Sequence, residues 1–142
     1  MRRIDPDLRA WIELSLIPGL GPAALHALLR KFGEPAAILR AAPRHLEQAV
    51  PSAIARAILS EDRREAVQRT CDWLAVQPNT LIALDDPAYP AQLLQIPDPP
   101  CVLYATGNPQ LLSRPAVAIV GSRNATAQGL SNAEQFARSF AE

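Results

Sequence analysis

The sequence predicts two unlike pieces: a small all-α bundle over residues 1–78, and the beginning of an α/β, Rossmann-like fold over residues 79–142. Three observations predict this division. Apolar residues recur at helical spacing in the first piece, short continuous apolar runs follow in the second, and eight of the 14 prolines lie between Pro78 and Pro115. We therefore expect the boundary near Gln77-Pro78-Asn79.

Apolar stripes at helical spacing define the first piece. Short segments that begin at prolines lie between these stripes. Together, the stripes and the segments predict five or six short helices joined by tight Pro or Gly turns. In this reading, both tryptophans belong to the apolar faces of helices rather than to base-stacking platforms. The stripes are Leu8, Trp11, Ile12 and Ser15; Leu25, Leu28, Leu29 and Phe32; and Val67, Thr70, Cys71 and Leu74.

Three short apolar runs, at residues 80–84, 102–105 and 116–120, predict strands in the second piece. The third is continuous, as a strand buried on both faces would be. A helix is expected from about Thr126 to the end, and its inner face would carry Leu130, Ala133, Phe136, Ala137 and Phe140. Because a doubly wound sheet needs further parallel strands, we expect residue 142 to be a truncation point.

Composition limits the possible functions. The chain has 142 residues, 49% of them apolar, and a formal net charge of zero. It can therefore bury a core, and it is neither a disordered tail nor a polycation that coats nucleic acid by bulk charge.

No apolar run is long enough for a transmembrane helix, and the N-terminus does not resemble a signal peptide. Residues 1–78 carry 11 basic and 9 acidic side chains, or +2, and residues 79–142 carry 3 and 5, or −2. Any nucleic-acid function must therefore sit in a local site.

The two cysteines and two histidines predict no metal site. Cys71 and Cys101 are 30 residues apart and form no C-x-x-C motif, so with His26 and His45 they make no zinc set. Both cysteines lie in apolar runs, which favours buried, reduced thiols in a cytoplasmic protein.

The strongest candidate site is the turn that follows residues 116–120. Gly121 allows close approach of an anion, Ser122 and Thr126 can cap or donate a hydroxyl, and Arg123 can form paired hydrogen bonds with a phosphate; Asn124 completes the set. The N–H groups at the start of the following helix also favour phosphate. The turn is neither a Walker loop nor a G-x-G-x-x-G fingerprint. The alternative is an ordinary strand-to-helix turn whose arginine pairs with a carboxylate.

A second candidate is the turn Ile17-Pro18-Gly19-Leu20-Gly21-Pro22. Helix-hairpin-helix units use such a turn to contact DNA phosphates through backbone N–H groups, so Gly19 and Gly21 are a secondary candidate contact. The alternative is a tight turn that packs two helices.

The remaining polar residues favour structural roles. Asp85-Asp86 precedes a proline and is typical of a turn cap, and His26 and His45 are expected at the surface or with satisfied hydrogen bonds. No Ser-His-Asp or Cys-His set can be assembled, so no catalytic residue is predicted. Tyr89 and Tyr104 lie near prolines and are expected to pack the proline-rich segment.

In combination, several motifs resemble the DNA-processing protein A (DprA/Smf) family. They are Pro-Gly-Leu-Gly at residues 18–21, Asp86-Pro87-Ala88-Tyr89-Pro90, Ile96-Pro97-Asp98-Pro99-Pro100, Val102-Leu103-Tyr104 and Val120-Gly121-Ser122-Arg123. The resemblance implies a sterile-alpha-motif-like or helix-hairpin-helix-like domain followed by part of an extended Rossmann fold that dimerises.

The resemblance also implies a non-enzymatic function without a cofactor: binding of single-stranded DNA and loading of the recombinase RecA onto it during natural transformation. Gly121, Ser122 and Arg123 match the family's phosphate-contacting loop, whereas Asn124 departs from the basic residue common there. Two alternatives stay open. One is a nucleotide phosphoribohydrolase of the lysine-decarboxylase-like (LOG) type, which would release ribose phosphate. The other is a protein-interaction module in residues 1–78.

Overall fold

The computed structural model describes residues 5–60 and 63–141, which form a mixed α+β structure. Over this part of the chain it has seven α-helices, one two-stranded sheet and two short 3-10 helices. The α-helices are α1 (Pro6–Ser15), α2 (Pro22–Phe32), α3 (Pro35–Leu39), α4 (Pro43–Glu47), α5 (Ser52–Leu59), α6 (Arg64–Leu74) and α7 (Ala127–Ala141); the strands are β1 (Asn79–Ala83) and β2 (Val102–Thr106); the 3-10 helices span Ala91–Gln95 and Pro109–Ser113.

Local sequence explains where the first helices begin and end. Proline occupies the first position of α1, α2, α3 and α4, where its missing N–H costs no hydrogen bond. Asp5 caps α1 by accepting the Asp7 N–H at 3.0 Å, and Gly33 ends α2 at a φ of +83°. The six short helices before residue 75 confirm the prediction from apolar spacing.

The core lies between these helices. α1 contacts α3, α6 and β1, α2 packs on α3, and α4 packs on α5. The predicted stripes supply much of the core, because each helix buries the face on which its apolar residues recur. Fully or almost fully buried side chains include Trp11, Ile12, Leu14, Leu25, Leu28, Ile38, Leu46 and Val67.

The sheet packs against the helices. β1 and β2 are antiparallel, with Leu81 opposite Tyr104, and the first two predicted strands are thereby confirmed within one residue. Leu81, Ala83 and Cys101 join the same apolar cluster as the helical residues. The core therefore continues past the predicted domain boundary at Gln77-Pro78-Asn79, which stays a prediction, as does the sterile-alpha-motif-like character of the bundle.

The third predicted strand is wrong. Residues 116–120 have no regular secondary structure, and Val117 and Val120 are 68% and 90% exposed. A strand exists only where a neighbouring strand pairs with its backbone, and the two strands described here pair with each other. The observed pairing is also antiparallel, whereas a Rossmann-like sheet is parallel.

The final helix forms where it was predicted, but its expected inner face is not buried. In α7, Leu130, Phe136 and Phe140 are 58%, 60% and 66% exposed, and the two phenylalanine rings stack on each other at 6.5 Å. Helical spacing places these residues on one face, as predicted, but no other described element covers that face. The mixed α+β content is compatible with a partial Rossmann-like domain.

Candidate functional site

The loop at residues 121–126 is exposed along its whole length. The Asn124 N–H donates to Ser122 Oγ at 3.2 Å, so the serine side chain closes a small turn and keeps its own hydroxyl hydrogen available to an acceptor. No atom lies within 4 Å of the place where a Cβ on Gly121 would stand, apart from its chain neighbours. An anion can therefore reach the backbone at Gly121.

Thr126 joins this loop to α7. Its Oγ1 accepts the Gly129 N–H at 3.1 Å, and its carbonyl accepts the Leu130 N–H at 3.0 Å, so it is the helix N-cap that the sequence predicts. The N–H groups of Ala127 and Gln128 have no acceptor in the described structure. With the positive end of the helix dipole, these two donors favour a bound anion.

Arg123 lies three residues before the N-cap and is exposed. Within residues 5–60 and 63–141, its guanidinium makes no hydrogen bond and no ion pair. This differs from the other reading of the turn, in which the arginine pairs with a carboxylate. The planar group keeps its five donors for an external acceptor such as a phosphate.

The turn between α1 and α2 is less available to a phosphate. Leu20 N–H donates to the Ile17 carbonyl at 3.2 Å, and Gly21 N–H donates to the Gly19 carbonyl at 3.0 Å. Gly19 adopts a φ of +78°, which glycine allows at no steric cost. Two of the backbone donors that a helix-hairpin-helix contact would use are therefore occupied inside the turn.

The weaker candidates have structural roles. Asp86 Oδ1 accepts the Ala88 N–H at 2.7 Å, which confirms the predicted turn cap. His26 Nε2 hydrogen-bonds the Pro99 carbonyl at 2.9 Å, and His45 is exposed. Among the residues that the structure describes, no three His, Cys, Asp or Glu side chains come together as metal ligands.

Both cysteines are buried as free thiols, as predicted. Burial raises the pKa of Cys101 to about 11. Burial and then the nearby Cys101 raise the pKa of Tyr89, whose hydroxyl donates to the Pro100 carbonyl at 2.6 Å. Cys101 belongs to the apolar core cluster, and Tyr89 is buried and bonded within the segment between Pro78 and Pro115, which is the packing role expected for it.

Sequence reasoning missed one feature, a shallow cavity beside Trp73 and Tyr104. The sequence places Trp73 on an apolar helix face, and it is half-buried there. Its ring meets Tyr104 from β2, which is 45% exposed. Only the pairing of β1 with β2 brings the two rings together, so periodicity along the chain carried no signal for the cavity.

Comparison with known proteins agrees with the resemblance found in the sequence. Residues 80–142 match the family described as DNA recombination-mediator protein A, and this segment includes all of β1 but its first residue, β2, the 121–126 loop and α7. The match supports assignment of this segment to that family, and with it a DNA-processing role in recombination. No curated protein and no solved structure gives a significant match.

No helix in the described ranges is long and apolar enough to cross a membrane.

Proposed function

We propose that this protein binds single-stranded DNA and helps to load RecA onto it, and that the 121–126 loop holds a backbone phosphate. The role is non-enzymatic and fits a cytoplasmic protein of natural transformation that dimerises through its Rossmann-like part. The match of residues 80–142 to the recombination-mediator family supports the DNA-processing component of this proposal. RecA loading and the dimer are proposed because the sequence motifs resemble that family.

The observation that carries the proposal is the availability of Arg123. It is exposed and has no partner among the described residues, and it stands beside a helix N-terminus with two unused N–H donors. An arginine and backbone N–H groups are the groups that bind phosphate most readily in proteins.

The binding mechanism is electrostatic. Arg123 forms charge-assisted hydrogen bonds with one phosphate, while the hydroxyls of Ser122 and Thr126 and the N–H groups of Ala127 and Gln128 can complete its hydrogen bonding. Each neutralised phosphate releases counterions, so affinity falls with salt. Because none of these groups reads a base edge, binding at this loop is independent of sequence.

The test is the substitution Arg123→Ala, with affinity for an unstructured single strand measured across salt concentrations. We expect roughly tenfold weaker binding, because one charge-assisted contact is lost. The slope of log K against log salt should fall in magnitude by about 0.7, the value for one phosphate on a single strand. In this variant, the protein should also no longer stimulate the formation of RecA filaments on the same strand.

Arg138→Ala is the matched control. Arg138 lies in the last turn of α7 and, like Arg123, is exposed without a partner among the described residues. The two substitutions remove the same charge, but only Arg123 lies at the helix N-terminus. Equal salt slopes for the two variants, or an unchanged affinity in Arg123→Ala, would contradict the proposed phosphate site.

A further inference from the structure

The cavity that sequence reasoning missed lies where α6 faces β2 and the end of α1. It is shallow, with a volume of about 270 Å³. Two aromatic rings, two aliphatic side chains, one hydroxyl and one arginine line it: Trp73, Tyr104, Leu16, Ala66, Thr70 and Arg69. A cavity of this depth accepts a flat group more readily than a bulky side chain, and its lining is the mixture of apolar wall and few polar groups typical of ligand sites.

The two rings form a rigid corner. Their centroids are 5.8 Å apart and their planes meet at 67°, an edge-to-face arrangement. Ser15 Oγ donates to the Ile12 carbonyl at 2.8 Å, so the Tyr104 hydroxyl is the donor in its 2.7 Å bond to Ser15. Tyr104 is therefore anchored at its polar end while its ring stays 45% exposed. A planar ligand can stack there without first ordering the site.

The corner also offers hydrogen-bonding groups that the protein leaves unused. The indole N–H of Trp73 has no acceptor in the described structure and is not fully buried, so it is available to a ligand. Thr70 Oγ1 donates to the Ala66 carbonyl at 3.0 Å and keeps its lone pairs. A π-face with one donor and one acceptor nearby suits a nucleobase, which has a flat face and a polar edge.

Arg69 supplies the charge that a nucleotide would need. Its only ion pair in the described structure is with Glu65, and the two side chains are 67% and 86% exposed. Such a surface pair is weak, so a phosphate can compete with Glu65 for the guanidinium. A cation beside an aromatic corner complements an anionic strand and disfavours a basic peptide.

We propose that the Trp73–Tyr104 corner stacks a nucleobase of single-stranded DNA and that Arg69 binds a phosphate of the same strand. The inference rests on the proposed function for the identity of the strand. It concerns a separate site, built on α6 and β2 and not on the 121–126 loop. The site would give the helical part of the molecule a direct contact with DNA.

The two tryptophans allow a direct test in the intact protein. In a ¹⁵N-labelled sample they give two indole N–H signals, which Trp73→Phe assigns. Trp11 is 4% exposed in the core and serves as an internal reference. With a deoxythymidine oligonucleotide of about 20 nucleotides, long enough for a single-strand site, the Trp73 signal should shift with saturation and the Trp11 signal should stay. An unmoved Trp73 signal in a sample that binds the strand, or equal shifts of both signals, would overturn the proposal.

Substitutions test the chemistry of the corner. Tyr104→Leu should weaken binding about fivefold to 150-fold, the range for loss of one stacked base, whereas Tyr104→Phe keeps the ring and should stay within about twofold. Arg69→Gln should reduce the magnitude of the salt slope by about 0.7. Arg40→Gln is its matched control, because Arg40 also pairs with an exposed glutamate and is 70% exposed, but lies away from the cavity. Equal effects of Tyr104→Leu and Tyr104→Phe would contradict stacking.

Repeating the titration on Arg123→Ala separates the two sites. If the corner is correct and the loop is not, that variant keeps wild-type affinity and the Trp73 signal still shifts. If the loop is correct and the corner is not, Arg123→Ala weakens binding while Tyr104→Leu and Arg69→Gln do not. The failure of each proposal is thus visible independently of the other.

Discussion

Both the described residues 5–60 and 63–106 and the residues 107–141 contain amphipathic helices, but they differ in how far their apolar residues are buried. In the first region the apolar residues converge on one core, whereas in the second nearly every described residue is exposed. Leu28 in α2 has no exposed surface, and Leu130 in α7 is 58% exposed, although each lies on the apolar face of an amphipathic helix. Amphipathicity therefore identifies a face that can be buried, while burial itself depends on a partner element.

The largest expected effect tests this contrast with one substitution made twice. Leu28→Ala should lower the free energy of unfolding by about 2–5 kcal/mol, because it removes buried methyl groups and leaves a cavity. Leu130→Ala should change it by less than about 0.5 kcal/mol, since little packing is lost. Urea unfolding of both variants measures the difference. Comparable losses would mean that α7 is packed in solution, and would break the contrast.

The contrast also shows what the sequence could predict. The six helices of the first region followed from spacing and from prolines at helix starts, which are properties of neighbouring residues. The Thr126 cap was equally local. The strand at residues 116–120 was predicted wrongly, because apolar continuity reports only that a segment can be buried, and strand formation needs a paired neighbour elsewhere in the chain.

The same distinction holds for the candidate sites. The loop residues were found because a glycine, small polar residues and an arginine follow one another in the chain. The aromatic corner was not found, because Trp73 and Tyr104 are 31 residues apart and meet only through the fold. Tyr104 was expected to pack near the prolines, but it is hydrogen-bonded to Ser15 on α1. Sequence spacing alone therefore did not predict the contacts between distant segments of the chain.

Glycines give a second, smaller test of the two regions. Gly33 ends α2 with φ +83° and ψ −53°, a conformation that an L-residue adopts only with strain. Gly33→Ala should cost about 1–2 kcal/mol of unfolding free energy. A Cβ on Gly121 would meet no atom within 4 Å, and the residue has no positive φ. Gly121→Ala should therefore leave the free energy of unfolding unchanged within about 0.5 kcal/mol.

Thermal or urea unfolding of these two variants gives the comparison. A loss of more than about 1 kcal/mol in Gly121→Ala would show that the 121–126 loop contributes to the folded core. With stability intact, any loss of single-strand affinity in Gly121→Ala reports on the approach of phosphate to the backbone rather than on folding.

The smallest expected effect is a pH dependence confined to the packed region. Burial raises the pKa of Cys101 from an ordinary value of 9.0 to about 11, so the folded state holds the thiol proton more tightly than the unfolded state does. The stabilisation is complete below pH 9 and is lost as pH rises from about 9 toward 11. By pH 9.5 the loss should be under about 1 kcal/mol, before the raised pKa of Tyr89 contributes.

Urea unfolding under reducing conditions at a series of pH values measures this loss, and Cys101→Ala is the control. Removal of the thiol costs some packing at every pH, but it should flatten the profile between pH 8 and 9.5. An equally steep decline in Cys101→Ala would place the titrating group elsewhere.

Alkylation gives a second measurement, because the thiolate is the reactive form. Native Cys101 should react slowly near pH 8, and it should react at the ordinary rate once the protein is unfolded. Slow reaction would show that the chain around Cys101 stays packed against the core in solution.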